Sequence, residues 1–201
     1  DRSLAKESED CLTLNICSND IEASNPVMIW IHGGALISGG SSSIMYELKH
    51  LAMRGVVVVS INYRLGPLGF LRLDDVTNGL INSSGNEGLL DQRNAIKWVK
   101  ENILSFGGDP NNINIFGESA GSWSVNVLQA SPLAKGLFHK AIGQSGARLI
   151  PLTHLDKSTT YLKSAEELGL GWSKVMTGTN NPSMEALKKI PPLTIIRNLE
   201  N

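Results

Sequence analysis

The chain has 201 residues, 41% hydrophobic and 18% charged, the balance of an ordinary globular protein long enough to bury a core. Its 18 basic and 19 acidic residues are spread along the chain and leave a formal net charge of −1, which offers no basic stripe for nucleic acid or an anionic membrane. A neutral or small organic substrate fits that charge balance better, and no apolar run approaches the roughly 20 residues needed to span a bilayer.

The sequence opens on Asp1 without a Met or a signal-peptide pattern and ends at Asn201, and a fragment of a longer chain is expected. Residues 11–17 alternate apolar and polar and predict a strand. Cys11 and Cys17 then lie on one face, about 20 Å apart at roughly 3.3 Å per residue, and cannot bond to each other. Either both are buried thiols, or Cys11 bonds to a cysteine outside the chain in an oxidising compartment. Residues 27–31 and 56–61 are nearly continuous apolar, β-branched runs, as in strands buried on both faces of a parallel sheet. After the first of these comes His32-Gly33-Gly34-Ala35, and glycines recur at 39, 40, 66 and 69, where loops leaving strands need positive φ or close backbone approach.

Asn82-Ser83-Ser84 is a glycosylation acceptor pattern, with Asn82 as the acceptor. Residues 89–106 place Leu90, Ile96, Trp98, Val99, Ile103 and Leu104 near helical spacing, and Gly107-Gly108-Asp109-Pro110 ends that helix. A short strand is expected at 113–116, a helix from 119 to about 128, and another short strand at 141–143. Helical patterns at 159–168 and 183–190 follow, then a break at Pro191-Pro192. Strands alternating with helices make the fold class α/β. With no internal repeat, the chain is one domain or part of one.

The motif richest in chemistry is Gly117-Glu118-Ser119-Ala120-Gly121, a G-x-S-x-G between predicted strand and predicted helix. A nucleophile on a sharp strand-to-helix turn needs small residues two before and two after it, and glycines stand at both places. The helix behind it points N–H groups at the same spot, which favours negative charge on an attacked carbonyl oxygen. His32-Gly33-Gly34-Ala35 follows a strand, where an α/β-hydrolase fold carries its oxyanion loop. Gly34, Ala35 and Ala120 are the expected backbone donors. His32 reads as a structural, hydrogen-bonding histidine, and Ser119 as the catalytic nucleophile.

These blocks together resemble the type-B carboxylesterases, the family that includes the cholinesterases. The resemblance rests on Glu9-Asp10-Cys11-Leu12-Thr13-Leu14-Asn15, His32-Gly33-Gly34, Asn62-Tyr63-Arg64, Gly69-Phe70-Leu71, Gly85-Asn86, Gly88-Leu89-Leu90-Asp91-Gln92-Arg93, Phe106-Gly107-Gly108-Asp109-Pro110 and the nucleophile motif. It covers roughly residues 8–146. What it implies is an α/β-hydrolase fold with a central, mostly parallel sheet, truncated at both ends, from a larger secreted or membrane-associated serine esterase. By the same resemblance Cys11 is similar to the second cysteine of an early disulfide, with its partner upstream, and the catalytic acid and histidine lie beyond Asn201.

Glu118 is expected to tune the site from beside the nucleophile, the alternative being a solvated acid. Asp91 and Arg93 look like parts of a structural polar network, and Ser145 is expected to be structural. His139 sits in a surface-helix pattern, and neither it nor His50 or His154 matches a triad motif. Three departures from the family narrow the substrate. Ala35 stands where the oxyanion loop has a third glycine. No tryptophan precedes Glu9-Asp10-Cys11 to hold a quaternary ammonium by cation–π attraction, which disfavours choline esters. Glu118 stands where juvenile hormone esterases carry glutamine. The resemblance thus implies a general carboxylesterase for small-molecule esters, without metal or cofactor. The rival reading is a neuroligin-like adhesion or binding protein on the same fold. A hormone-sensitive-type esterase shares the two catalytic motifs but is not expected to carry the Glu9-Asp10-Cys11 or Leu89 to Arg93 blocks.

Overall fold

A computed structural model describes residues 8–43, 45–74, 76, 83–147, 154–160 and 162–198. They fall into two compact units, one formed by Asp1–Tyr63 and Leu89–Arg148, the other by Arg64–Gly88 and Leu149–Asn201.

The first unit is built on a five-stranded sheet of β1 (Leu14–Cys17), β2 (Asn25–Ile31), β3 (Val57–Ile61), β4 (Gly108–Glu118) and β5 (Lys140–Gln144), in the order β1-β3-β2-β4-β5. β1 runs antiparallel to β3, and the other pairings are parallel. Val27, Ile29, Ile31, Val57, Val58, Val59, Ile61, Ile113 and Ile115 are wholly buried. Branched side chains covered on both faces are what holds a parallel sheet together, each worth about 1.5–3 kcal/mol of burial. Helix α1 (Lys49–Ala52) packs on β3, and the helix after β4, Ala120–Ala130, packs on β2, β4 and β5. Among the described residues no helix is long and apolar enough to cross a membrane.

Several elements depart from their sequence readings. Cys11 lies outside β1, in a turn where the Thr13 N–H bonds the Cys11 carbonyl at 2.8 Å. The strand argument for its separation from Cys17 therefore lapses, although the two form no bond with one another. β4 begins five residues earlier than expected: the helix ends at Asn102, a 3₁₀ turn Ile103–Phe106 follows, and Gly107 in the left-handed region admits Gly108 to the sheet. On that helix Ile96 and Val99 are buried and Leu90 and Trp98 exposed, while in the 3₁₀ turn Ile103 is buried and Leu104 exposed despite their spacing. His139 is not helical. It precedes β5, where its N–H bonds the Ile113 carbonyl at 2.8 Å and its Nδ1 accepts the Ile113 N–H at 3.1 Å.

The second unit carries α2 (Pro67–Phe70) and, in chain order, α5 (Ala165–Thr177), α6 (Met184–Lys188) and α7 (Pro192–Arg197), α3 and α4 being the helices Glu87–Asn102 and Ala120–Ala130. α5 starts six residues later than its sequence pattern. Ser158 accepts the Ser164 N–H at 2.9 Å, and Ser164 in turn caps the Glu167 N–H at 3.1 Å, so the start of α5 is capped from Ser164. Pro191-Pro192 opens α7 rather than simply breaking the chain, since a proline at the first helical position loses no intrahelical bond. Arg72 bridges Glu166 at 3.0 Å, and Gly169 packs onto the Arg72 carbonyl. Asn82 lies outside the described residues.

Candidate active site

Ser119 joins the end of β4 to the start of α4 with φ 55° and ψ −121°. A residue with a β-carbon pays roughly 1–3 kcal/mol for such a conformation, which persists only where its surroundings enforce it. The enforcement is visible. The Ser119 N–H bonds the Gln144 carbonyl of β5 at 2.9 Å, and the Ser119 carbonyl accepts the Trp123 N–H at 3.0 Å in the first turn of α4.

Both flanking glycines are required by contact. A β-carbon at Gly117 would stand 2.5 Å from the Gly121 carbonyl carbon, and one at Gly121 would stand 2.0 Å from the Ile31 carbonyl oxygen. Any side chain at either place would push α4 off the sheet. Polar side chains pin the helix further, with Ser122 Oγ donating to the Gly146 carbonyl at 2.5 Å and Gln92 Nε2 to Ser124 Oγ at 3.1 Å. Ala120, the first residue of α4, has one of the four backbone N–H groups that a helix leaves without an internal acceptor.

The loop leaving β2 passes directly over this turn. A β-carbon at Gly33 would lie 2.8 Å from the Glu118 carbonyl oxygen, 3.1 Å from Ser119 Cβ and 3.2 Å from Glu118 Oε2. The two motifs, far apart in the chain, thus meet at one place. Beyond Gly33 the loop coils tightly: Gly34, Ala35 and Leu36 have φ of 110°, 56° and 65°, and the Gly34 carbonyl accepts the N–H groups of Ile37 and Ser38, both at 3.0 Å. The sequence suggests only slight crowding from Ala35. The structure adds a backbone cost, because a left-handed L-residue is disfavoured by roughly 1–2 kcal/mol, of which glycine's extra entropy loss returns part. Ala35→Gly is expected to raise stability by about 0.5–1 kcal/mol, read as a higher urea midpoint at unchanged m-value; a lower midpoint would contradict the strain argument.

An aromatic set that the sequence reading did not single out lies beside the site. Trp30 on β2 packs against Tyr46, with ring centroids 5.0 Å apart, and against Phe116 on β4 at 4.9 Å. Burial, and then the Glu118 carboxylate, push the Tyr46 hydroxyl above its ordinary pKa. The carboxylate of exposed Glu118 is therefore within electrostatic reach of both Tyr46 and the loop. No motif flags Tyr46, because its neighbours in the chain carry no pattern and only folding brings it to Trp30.

None of the first unit's described histidines is hydrogen-bonded to Ser119. His32 is buried and bonds Gly33; exposed His50 pairs with Glu47 at 3.4 Å. His139 sits at the Ile113 end of β4, six residues or about 20 Å from Ser119. Arg93 donates to the Leu133 carbonyl at 3.1 Å and to Asn94 at 3.0 Å, and Asp91 is buried. Ser145 has φ 55° next to Gly146, whose carbonyl anchors Ser122. Among the described residues no three His, Cys, Asp or Glu side chains cluster as a metal site would require.

Comparison with known proteins follows the same lines. The sequence model described as "Carboxylesterase family" matches residues 1–201. The chain is 53% identical over 146 residues to the para-nitrobenzyl esterase of Bacillus subtilis, a match covering 72% of the chain and 29% of that protein. It is 49% identical over 174 residues to human bile salt-activated lipase, covering 80% of the chain and 22% of the lipase. Among solved structures, a PNB esterase superposes with a TM-score of 0.82 at 41% identity, covering 98% of the chain and 40% of that protein. A Geobacillus stearothermophilus carboxylesterase superposes with a TM-score of 0.79, also at 41% identity, covering 96% and 39%. The chain thus spans well under half the length of each of these relatives.

Proposed function

The chain belongs to the carboxylesterase family, and from that membership we propose that it carries the nucleophile and oxyanion loop of a serine-dependent carboxylic ester hydrolase. Its fold is that of the α/β-hydrolases, with a mixed sheet flanked by helices. The observation that carries the proposal is the approach of Gly33 to a strained Ser119 at the β4–α4 turn. On this reading the two compact units are parts of one partial domain, and the catalytic acid and histidine come from the remainder of a longer protein.

Ser119 Oγ attacks the ester carbonyl as that histidine takes its proton. The negative charge developing on the carbonyl oxygen is met by the N–H groups of Gly34, Ala35 and Ala120. The alcohol leaves, and water then releases the acid from the acyl-enzyme. Fixed donors of this kind cost no reorganisation at the moment of reaction, and removing one lowers the rate by roughly 10²–10³-fold. Glu118 supplies a negative charge beside the nucleophile that favours the histidinium formed during attack. The names of the relatives, an esterase for para-nitrobenzyl esters and a lipase among them, support small-molecule carboxylic esters as substrates. A general carboxylesterase is preferred to a cholinesterase because residues 1–10, just before and within the Glu9-Asp10-Cys11 block, contain no tryptophan.

Labelling the full-length protein with a fluorophosphonate tests the reading. Covalent modification of the peptide that contains Ser119 is expected, whereas a folded, unlabelled protein would support the adhesion or binding alternative. A disulfide from Cys11 to a cysteine outside the chain, and with it a secreted or lumenal location, is proposed from the family resemblance. Peptide mapping without reduction should find Cys11 bridged and Cys17 alkylatable, and alkylatable Cys11 in native material would remove the support for that location.

A further inference from the structure

Oxyanion donors act only if their N–H vectors are held, and the loop that carries Gly34 and Ala35 consists of residues that hold little by themselves. In a trans peptide the carbonyl of one residue and the N–H of the next are antiparallel edges of one rigid plane. Fixing a carbonyl therefore aims the following N–H. In this loop three successive carbonyls are fixed. The His32 carbonyl accepts the Tyr63 hydroxyl proton at 2.8 Å. The Gly33 carbonyl is 2.8 Å from His32 Nδ1. The Gly34 carbonyl accepts the N–H groups of Ile37 and Ser38. These bonds set the planes that bear the N–H groups of Gly33, Gly34 and Ala35.

Two of the three locks are side chains. Because a carbonyl can only accept, the imidazole carries a proton on Nδ1 and donates it to Gly33. Its other nitrogen, Nε2, is buried with no hydrogen-bond partner among the described residues. Burial lowers the His32 pKa and outweighs the bond to Gly33, which raises it. The ring is fully buried and stacked on that of Tyr63, itself 2% exposed, with centroids 4.4 Å apart and planes 18° from parallel. The far limb of the loop closes over the same ring. A β-carbon at Gly39 would fall 2.5 Å from His32 Nδ1 and 2.7 Å from the Gly33 carbonyl oxygen. That limb is tied to β3 and the residue after it: the Ser41 N–H bonds Asn62 Oδ1 at 2.7 Å, and Ser60 Oγ donates to the Ser41 carbonyl at 3.0 Å.

We infer that His32 and Tyr63 are positioning residues of the oxyanion site: His32 holds the Gly33 carbonyl and so aims the Gly34 N–H, and Tyr63 acts through His32, fixing its carbonyl and stacking on its ring so that this lock faces the donor toward the carbonyl oxygen attacked by Ser119. Neither residue touches substrate. The inference rests on the assignment of Gly34 and Ala35 as oxyanion donors and extends it to the groups that aim them.

The test uses the full-length protein and Tyr63→Phe, which keeps the stacked ring and removes only the hydroxyl. On a nitrophenyl butyrate, kcat is expected to fall by roughly 10-fold to 100-fold, less than for outright deletion of a donor, with KM within about threefold. Affinity for a trifluoromethyl ketone, whose adduct with serine places an oxyanion in the same position, should weaken in parallel with kcat. His32→Asn retains an N–H donor near the Nδ1 position and should keep more of kcat than His32→Ala. Wild-type kcat and ketone affinity in Tyr63→Phe would overturn the inference. So would an equal loss in KM and ketone affinity, which marks a merely structural role. Ser119→Ala separates the two levels: an active Ser119→Ala variant removes the underlying reading, whereas an inactive one beside an unaffected Tyr63→Phe removes only the positioning role.

Discussion

Ser119→Ala in the full-length protein is expected to lower kcat on nitrophenyl acetate or butyrate by about 10⁴-fold or more, because no other hydroxyl occupies the turn where loop and helix converge. The variant should remain folded. Alanine keeps the β-carbon, so the strained backbone at φ 55° is retained and the thermal midpoint should move little. Ser119→Gly should be equally inactive but more stable, by roughly 1 kcal/mol or more, since glycine accepts that conformation at no steric cost. The pair of variants separates the chemical role of the hydroxyl from the backbone cost of presenting it. Wild-type turnover by Ser119→Ala would remove the nucleophile assignment.

Residues 1–201 expressed alone are expected to show no ester hydrolysis above that of their own Ser119→Ala control. A serine hydroxyl without a positioned base stays protonated and weakly nucleophilic at neutral pH. His32 is committed to Gly33, His139 lies at the opposite end of β4, and His50 is exposed beside Glu47. His154 lies in the second unit, its carbonyl bonded to the Ala165 N–H, and matches no triad motif. The sheet supplies a second reason. Among the described residues β5 is an edge strand paired only with β4, and Ile142 on it is 44% exposed, an arrangement that invites association through unpaired backbone groups. A nitrophenyl ester assay on monomeric material, with circular dichroism to establish folding, decides the matter. Folded material with multiple turnovers that depend on Ser119 would show that a base within the chain reaches it.

Much of this was legible beforehand because its causes are local. β-branched runs at 27–31 and 56–61 can be buried on two faces wherever the sheet runs, and they became β2 and β3 nearly to the residue. The G-x-S-x-G turn carries its own steric logic in its two glycines. The errors fall where a partner decides. Cys11 left the predicted strand because a turn bond to Thr13 competes with the ladder, and β4 gained its first five residues when Gly107 turned the chain so that Gly108 could pair with Asn25. The sequence pattern puts His139 on a surface helix, yet its ring and backbone both serve Ile113, a partner 26 positions away.

By itself the sequence determined the fold class and the family and marked Ser119 as the nucleophile we propose, since periodicity, turn chemistry and motif spacing depend on neighbours along the chain. Only the tertiary structure decided which loop lies over Ser119, and that Tyr63 and His32 hold it. It also decided that Trp30 and Tyr46 flank the site and that Ala35 bears a backbone cost. The physical reason is that hydrogen-bond partners, stacked rings and forbidden β-carbon positions are properties of distance in space. Residues 32, 63 and 119 share no local pattern until the parallel pairing of β2 with β3 and β4 brings the carboxyl ends of these strands to one end of the sheet.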